Sequence, residues 1–227
     1  MTAIVCASSK GGCGKTTIVT LLAGEFARRG KDENMDVTIV DADPNRHSSS
    51  WASKDGCPSN ISVVCDTSEI KLGRTIDNAS KESDFVLVDL EGAKSMAFSN
   101  AIGRASLVII PCQGSYDDAV EATRTIELIH SLEELLQRKI PFSLLFTRTN
   151  AITNSLGLRE IIADFKEEGY DMFKASLIDR EAFKSVRMYG GIVNDLKPKQ
   201  VSGAKKAAEN VRVLVNEVVE KLTSQEA

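Results

Sequence analysis

Residues 10–17 are Lys10, Gly11, Gly12, Cys13, Gly14, Lys15, Thr16 and Thr17, and these types at this spacing suit a phosphate chain. Close approach of backbone N–H groups to an anion needs dihedrals that glycine adopts without steric cost, and Gly11, Gly12 and Gly14 meet that need. Lys15 is then expected to reach the β- and γ-phosphates, the Thr16 hydroxyl to coordinate Mg2+, and Thr17 to add a phosphate hydrogen bond. Cys13 lies inside the loop, either as a small tolerated side chain or as a thiol whose modification would block phosphate entry. Two apolar runs end in carboxylates, one at Asp41-Ala42-Asp43-Pro44 and one at Phe85-Val86-Leu87-Val88-Asp89. A carboxylate at the carboxyl end of a parallel strand faces the crevice where phosphates bind. Asp89, after four apolar residues, is expected to hold Mg2+ through water. Glu91 either tunes the reaction or faces solvent. Hydrolysis in such a site would rest on positioning and electrostatics, with no covalent step.

These groups need strands to carry them. Six apolar runs, at 3–7, 37–40, 61–64, 85–88, 107–110 and 142–146, alternate with amphipathic stretches. Their Val, Ile and Leu content without polar alternation predicts six buried parallel strands. Between 115 and 138, Ala119, Ala122, Ile126, Ile129 and Leu136 share one side of a helical period, as do Val211, Leu214, Val215, Val218 and Leu222 near the end of the chain. The first glycine-rich segment sits between a strand and the apolar-periodic helix 18–27, which is the context a P-loop requires. The expected fold is α/β, a doubly wound, mostly parallel sheet flanked by helices, with one P-loop domain over residues 1–227.

Ser9 stands where the general P-loop pattern has its first glycine, and Lys10 adds a second lysine. That sequence resembles the signature of the ParA/MinD family of deviant Walker A ATPases. The resemblance runs from the first strand to the last helices and is closest to short ParA-type partition ATPases and VirC-type DNA-transfer proteins. It implies ATP and Mg2+ as ligands, and a homodimer in which Lys10 crosses to the partner subunit's nucleotide. It also implies that Asp43 holds the attacking water, that Asp41 supports the magnesium shell, and that Asn150, after the sixth strand, contacts adenine. Trp51 matches a family tryptophan and is expected to pack. The family usually continues with Gln-Gly where this chain has Asn45-Arg46, so that loop's contacts differ. In place of Thr or Cys followed by Pro or Ala, Leu90-Glu91-Gly92 follows Asp89.

Arg180, Lys184 and Arg187 are spaced to share a helical face, and Lys205 and Lys206 follow. ParA-type proteins bind DNA without sequence preference through basic residues in this region, so the resemblance implies non-specific DNA and a ParB-like or other adaptor as partners. A formal charge of -4 gives no global pull towards nucleic acid, so such contacts must be local. A MinD-like membrane-positioning protein would need a basic amphipathic tail, whereas the last helix mixes charge signs and ends in Ser224-Gln225-Glu226-Ala227. An iron-sulfur carrier would need paired cysteines; the five here form no CxxC. The expected protein is cytoplasmic, nucleoid-associated when ATP-bound, without stable membrane association and without an operator-reading segment before the first strand.

Overall fold

The computed structural model describes residues 2–92, 95–152 and 155–224. Seven parallel strands form one sheet: β1 (Ala3–Cys6), β2 (Val37–Ala42), β3 (Ile61–Cys65), β4 (Phe85–Leu90), β5 (Leu107–Cys112), β6 (Phe142–Thr149) and β7 (Leu177–Ile178). Their spatial order is β3-β2-β4-β1-β5-β6-β7. The eight α-helices assigned among the described residues are α1 (Lys15–Gly30), α2 (His47–Ala52), α3 (Leu72–Glu82), α4 (Met96–Ile102), α5 (Tyr116–Leu136), α6 (Leu156–Glu167), α7 (Glu181–Tyr189) and α8 (Ala204–Thr223).

Successive residues of a strand point to opposite faces, and here both faces are covered. Ile4 and Cys6 of β1, Leu87 of β4 and Ile109 of β5 enter one core with Ile18, Leu22 and Phe26 of α1 and Val211, Leu214, Val215 and Val218 of α8. Ala3 and Val5, Val86 and Val88, and Val108 and Ile110 enter the other, with Ile76 of α3, Ile102 of α4 and Ile126 and Ile129 of α5. This two-sided burial explains the unbroken apolar runs. The last helix is therefore a packing element, with Val211, Leu214, Val215 and Val218 all buried. The end of its polar tail, Gln225, Glu226 and Ala227, lies outside the described residues.

Two features differ from the sequence expectation. β3 is an edge strand, half exposed along its length, with Val64 41% exposed. It pairs only with β2 among the described strands, and of its residues Ile61 and Val63 pack against one core while none is found in the other. A seventh strand, β7, extends the sheet beyond β6 through two residues.

The register fixes the site. Asp41 of β2 pairs level with Asp89 of β4, and Cys6 of β1 pairs level with Asp89 on its other side. From β1 the chain crosses to β2 on one side of the sheet, and from β4 it crosses to β5 on the other. The reversal opens a crevice at the carboxyl ends of these strands, and the glycine-rich loop following β1 lies there.

Candidate nucleotide site

The loop is shaped by two glycines in the left-handed region, Gly12 at φ 77° and Gly14 at φ 104°, the latter at the start of α1. A Cβ built on Gly11, Gly12 or Gly14 would meet no protein atom within 4 Å, so that face of the loop is open to a ligand. Neighbouring strands hold its carbonyls. Gln113 Nε2 and Arg148 Nη2 donate to Gly12 O at 3.0 and 3.2 Å, and Thr147 Oγ1 donates to Cys13 O at 3.2 Å. Arg148 itself sits at φ 54°, a left-handed conformation uncommon for a non-glycine residue and recurrent at functional sites. Lys15 is buried, with Nζ donating to Lys10 O at 3.0 Å and close to Ser8 O at 3.5 Å. Its charge is thus held inside the loop together with the N-terminal end of α1, a place built for an anion.

Beside the loop the two carboxylates of adjacent strands are fully buried. Thr16 Oγ1 donates to Asp89 Oδ1 at 3.3 Å, and Ser48 Oγ donates to Asp89 Oδ2 at 2.6 Å. Ser49 donates to Asp41 Oδ2 from both its backbone N (2.8 Å) and its Oγ (2.6 Å). Burial pushes the Asp89 carboxyl up to about 6; the Ser48 and Thr16 hydrogen bonds oppose this, while the nearby Asp41 and Asp43 charges add to it. A divalent cation would reverse that penalty. The available donors, Thr16, Asp41 and Asp89, are all hard oxygen groups. No cluster of three or more His, Cys, Asp or Glu suited to hold a metal occurs among the described residues. This donor set fits Mg2+, which keeps several waters and binds through one or two carboxylates plus phosphate.

Asp43 is half-buried at the loop after β2, where its Oδ1 accepts from Asn45 N and Nδ2 at 2.8 and 2.9 Å. The Asn45 that departs from the family pattern therefore anchors the very carboxylate predicted to act. Glu91 is exposed and lies with Pro44 on a separate shallow cleft. Lys10 extends outwards to Asp118 Oδ1 at 2.8 Å. That hydrogen bond raises the Lys10 pKa; for Asp118, burial acts upwards but the Lys10 and Ser115 hydrogen bonds outweigh it and leave the carboxyl below its ordinary range. Cys13 is buried, its Sγ 3.4 Å from Lys10 O. Burial raises the Cys6 and Cys112 thiols, the latter to about 11, so both stay protonated and inert at neutral pH.

A cavity of about 440 Å³ adjoins the loop at Cys13, Gly14 and Thr17. Trp51 and Phe183 give it apolar walls, and Arg148, Arg180, Lys184 and Arg187 bring positive charge. Trp51 is 1% exposed and donates Nε1–H to Gly191 O at 3.0 Å, so it packs as expected. Arg180 Nε is buried without a hydrogen-bond partner. Arg180 precedes α7 in extended backbone instead of sharing a helical face with Lys184 and Arg187, but all three border the loop's cavity. Lys205 and Lys206 line a different one, of about 560 Å³, with Val193, Leu196 and Val201. The five basic residues are divided between two places. Asn150 is exposed and uses its Oδ1 to accept from Ile152 N at 2.9 Å, the turn role common for this residue type; it is absent from the residues lining the cavity.

Sequence alone missed Ser48, Ser49, Gln113, Thr147, Arg148 and Asp118. The run His47-Ser48-Ser49-Ser50 just after Asp41-Ala42-Asp43-Pro44 was the readable signal for the first two. The others lie more than 100 residues from the loop they touch.

An all-parallel sheet with a glycine-rich loop after β1 and acidic ends on β2 and β4 defines a P-loop nucleotide-binding fold. The family model described as VirC1 protein matches residues 1–224. The chain is 34% identical over 223 residues to Protein ParA of Rhizobium radiobacter, covering 98% of each. It is 27% identical over 217 residues to the maintenance of carboxysome distribution protein A of Halothiobacillus neapolitanus, covering 94% of each. Among solved structures, the ATP complex of a Cyanothece McdA variant superposes with a TM-score of 0.78 at 20% identity, covering 97% of this chain and 96% of that one. The chain belongs to the ParA/MinD family of deviant Walker A ATPases, on the VirC1 and ParA branch.

Proposed function

We propose that the protein is a Mg2+-dependent ATP hydrolase that dimerises on ATP, binds DNA non-specifically and positions or segregates DNA, with an adaptor stimulating hydrolysis. The observation that carries the reading is the level pairing of buried Asp41 and Asp89 beside an open glycine loop with Lys15 inside it. The loop N–H groups and Lys15 bind and orient the polyphosphate. Thr16, Asp89 and Asp41 would hold Mg2+, which when bound neutralises charge on the phosphate oxygens. Asp43, steadied by Asn45, is placed to orient the attacking water and accept its proton. The cavity beside Gly14 and Thr17 takes the nucleoside end, where Arg180 Nε is in need of an acceptor.

The DNA contact is proposed at Lys205 and Lys206, joined by Lys197 and Lys199. The stretch 196–208 contains these four lysines and no acidic residue in a chain whose net charge is -4. No ion pair involves them among the described residues. Arg180, Lys184 and Arg187 sit nearer the nucleotide and would link its state to any contact made at their exposed ends. Co-sedimentation with non-specific DNA in ATP and in ADP tests the reading. Binding should appear with ATP alone and weaken steeply with salt; equal or absent binding in both states refutes it.

The carboxysome-distribution relative favours a second reading, in which DNA is a track for another cargo. Among the described residues no helix is long and apolar enough to cross a membrane. The adaptor differs between the two readings, while the nucleotide cycle is the same.

A further inference from the structure

The two lysines of the loop are held in different ways. Lys15 is folded beneath it, whereas the Lys10 side chain is 43% exposed and reaches across to α5. Its partner Asp118 is 6% exposed and tightly fixed. Ser115 Oγ donates to Asp118 Oδ2 at 2.5 Å, and Asp118 N donates back to Ser115 Oγ at 3.2 Å, so Ser115 is the N-cap of α5 and also fixes the Asp118 carboxylate. The preceding loop residue is moored to the same helix. Ser9 N donates to Thr125 Oγ1 at 3.3 Å, and Ser9 Oγ lies 3.1 Å from Glu121 O and against the Glu121 carboxylate. Residues 118, 121 and 125 fall on one face of α5, so the N-terminal half of the loop is tied to a single helical stripe. A helix N-cap needs no lysine. A loop lysine at the solvent boundary needs no buried carboxylate.

We propose that Asp118 is a positioning residue that holds Lys10 in cis against its own α5, and that this pair must open before Lys10 can serve a second copy of the chain. The proposal rests on the reading of Lys10 as the residue that crosses the dimer interface. In the proposed exchange the Lys10 ammonium leaves Asp118 to reach the partner subunit's nucleotide phosphate. The closed pair therefore favours the separate subunit, and ATP-driven dimerisation exchanges a carboxylate for a polyphosphate. Asp118 sets the threshold for that exchange without touching nucleotide itself.

The test is sedimentation velocity of the full chain during a Mg2+-ATP titration, comparing wild type, Asp118→Asn and Asp118→Glu. Asparagine retains an acceptor for Ser115 and removes the charge, so the helix start is kept; thermal melting without nucleotide checks the fold. The expected result is a dimer dissociation constant lower by at least roughly two- to fivefold per opened pair in Asp118→Asn, the scale of exposed ion pairs, since Asp118 is itself buried. Asp118→Glu should return towards wild type. An Asp118→Asn constant equal to wild type overturns the proposal, and a higher one overturns it by making the pair a pre-positioning contact. If wild type stays monomeric in ATP, the cross-interface reading of Lys10 fails first and carries the proposal down with it.

Discussion

Replacing Asp89 by asparagine isolates the cost of a buried carboxylate that the nucleotide site carries before any cation arrives. Asp89 is fully buried, and its pKa is raised from the ordinary 3.8 to about 6. Below pH 3.8 the proton is bound in both folded and unfolded chains, and the group favours neither. Between 3.8 and 6 the unfolded chain has ionised while the folded one still holds its proton. As pH rises through 6 the folded protein must ionise a desolvated group, and the stability present at low pH is lost. A shift of about two units corresponds to roughly 3 kcal/mol at 1.36 kcal/mol per unit. For a chain of this size that is on the order of 6–12 °C in melting temperature. The asparagine variant keeps an acceptor for Ser48 or Thr16 and has no charge to desolvate. Without nucleotide or Mg2+, it should melt above wild type at pH 8, with the gap closing as pH falls towards 4. Calorimetry or urea unfolding across pH 4–8 measures the difference, which cancels the opposite trends of Glu25 and Asp118. Adding Mg2+ and ATP should raise wild type and leave the variant nearly unmoved. Parallel curves for the two proteins across that range would refute the argument, because they would mean that Asp89 is solvated as cheaply in the fold as out of it.

Three further outcomes follow from the same geometry. Lys15→Ala removes the charge held inside the loop and should weaken ATP binding by at least about 100-fold in a fluorescent-nucleotide titration, since charge-assisted contacts to phosphate are among the strong ones; near-wild-type affinity would place the phosphates elsewhere. Asp43→Ala should lower steady-state hydrolysis about 100-fold or more while nucleotide binding persists, the size expected for losing a group that orients and deprotonates water. Trp51 is the chain's single tryptophan and lines the cavity beside Thr17, so its emission should change on nucleotide addition; constant emission alongside calorimetric binding would move the nucleoside end out of that cavity.

The loop, the helix that follows it and the acidic strand ends were legible because each is a local pattern: glycine spacing, apolar periodicity, and an aspartate after four apolar residues. The strand register then added what no local pattern contains, the level placement of Asp41 and Asp89. β3 was misjudged because Ile61, Val63 and Val64 look alike whether one face is covered or two. β7 was missed because Leu177–Ile178 is too short to show a period. The basic spacing at 180, 184 and 187 predicts a shared helical face, yet Arg180 precedes α7 in extended backbone, and what the three share is the border of the loop's own cavity, which no period can show. Lys10 and Asp118 are 108 residues apart, and Arg148 stands 136 from Gly12. Such partners meet only through topology.

The anchoring of Gly12 O and Cys13 O by Gln113, Arg148 and Thr147 bears on timing. A loop already fixed in shape has little freedom left to surrender when nucleotide arrives, so capture need not wait for the backbone to find its form. Differences in affinity between ATP and ADP should then appear in how long each stays. On the proposed function, the residence time of the spent nucleotide would then set how soon a subunit could begin its next round.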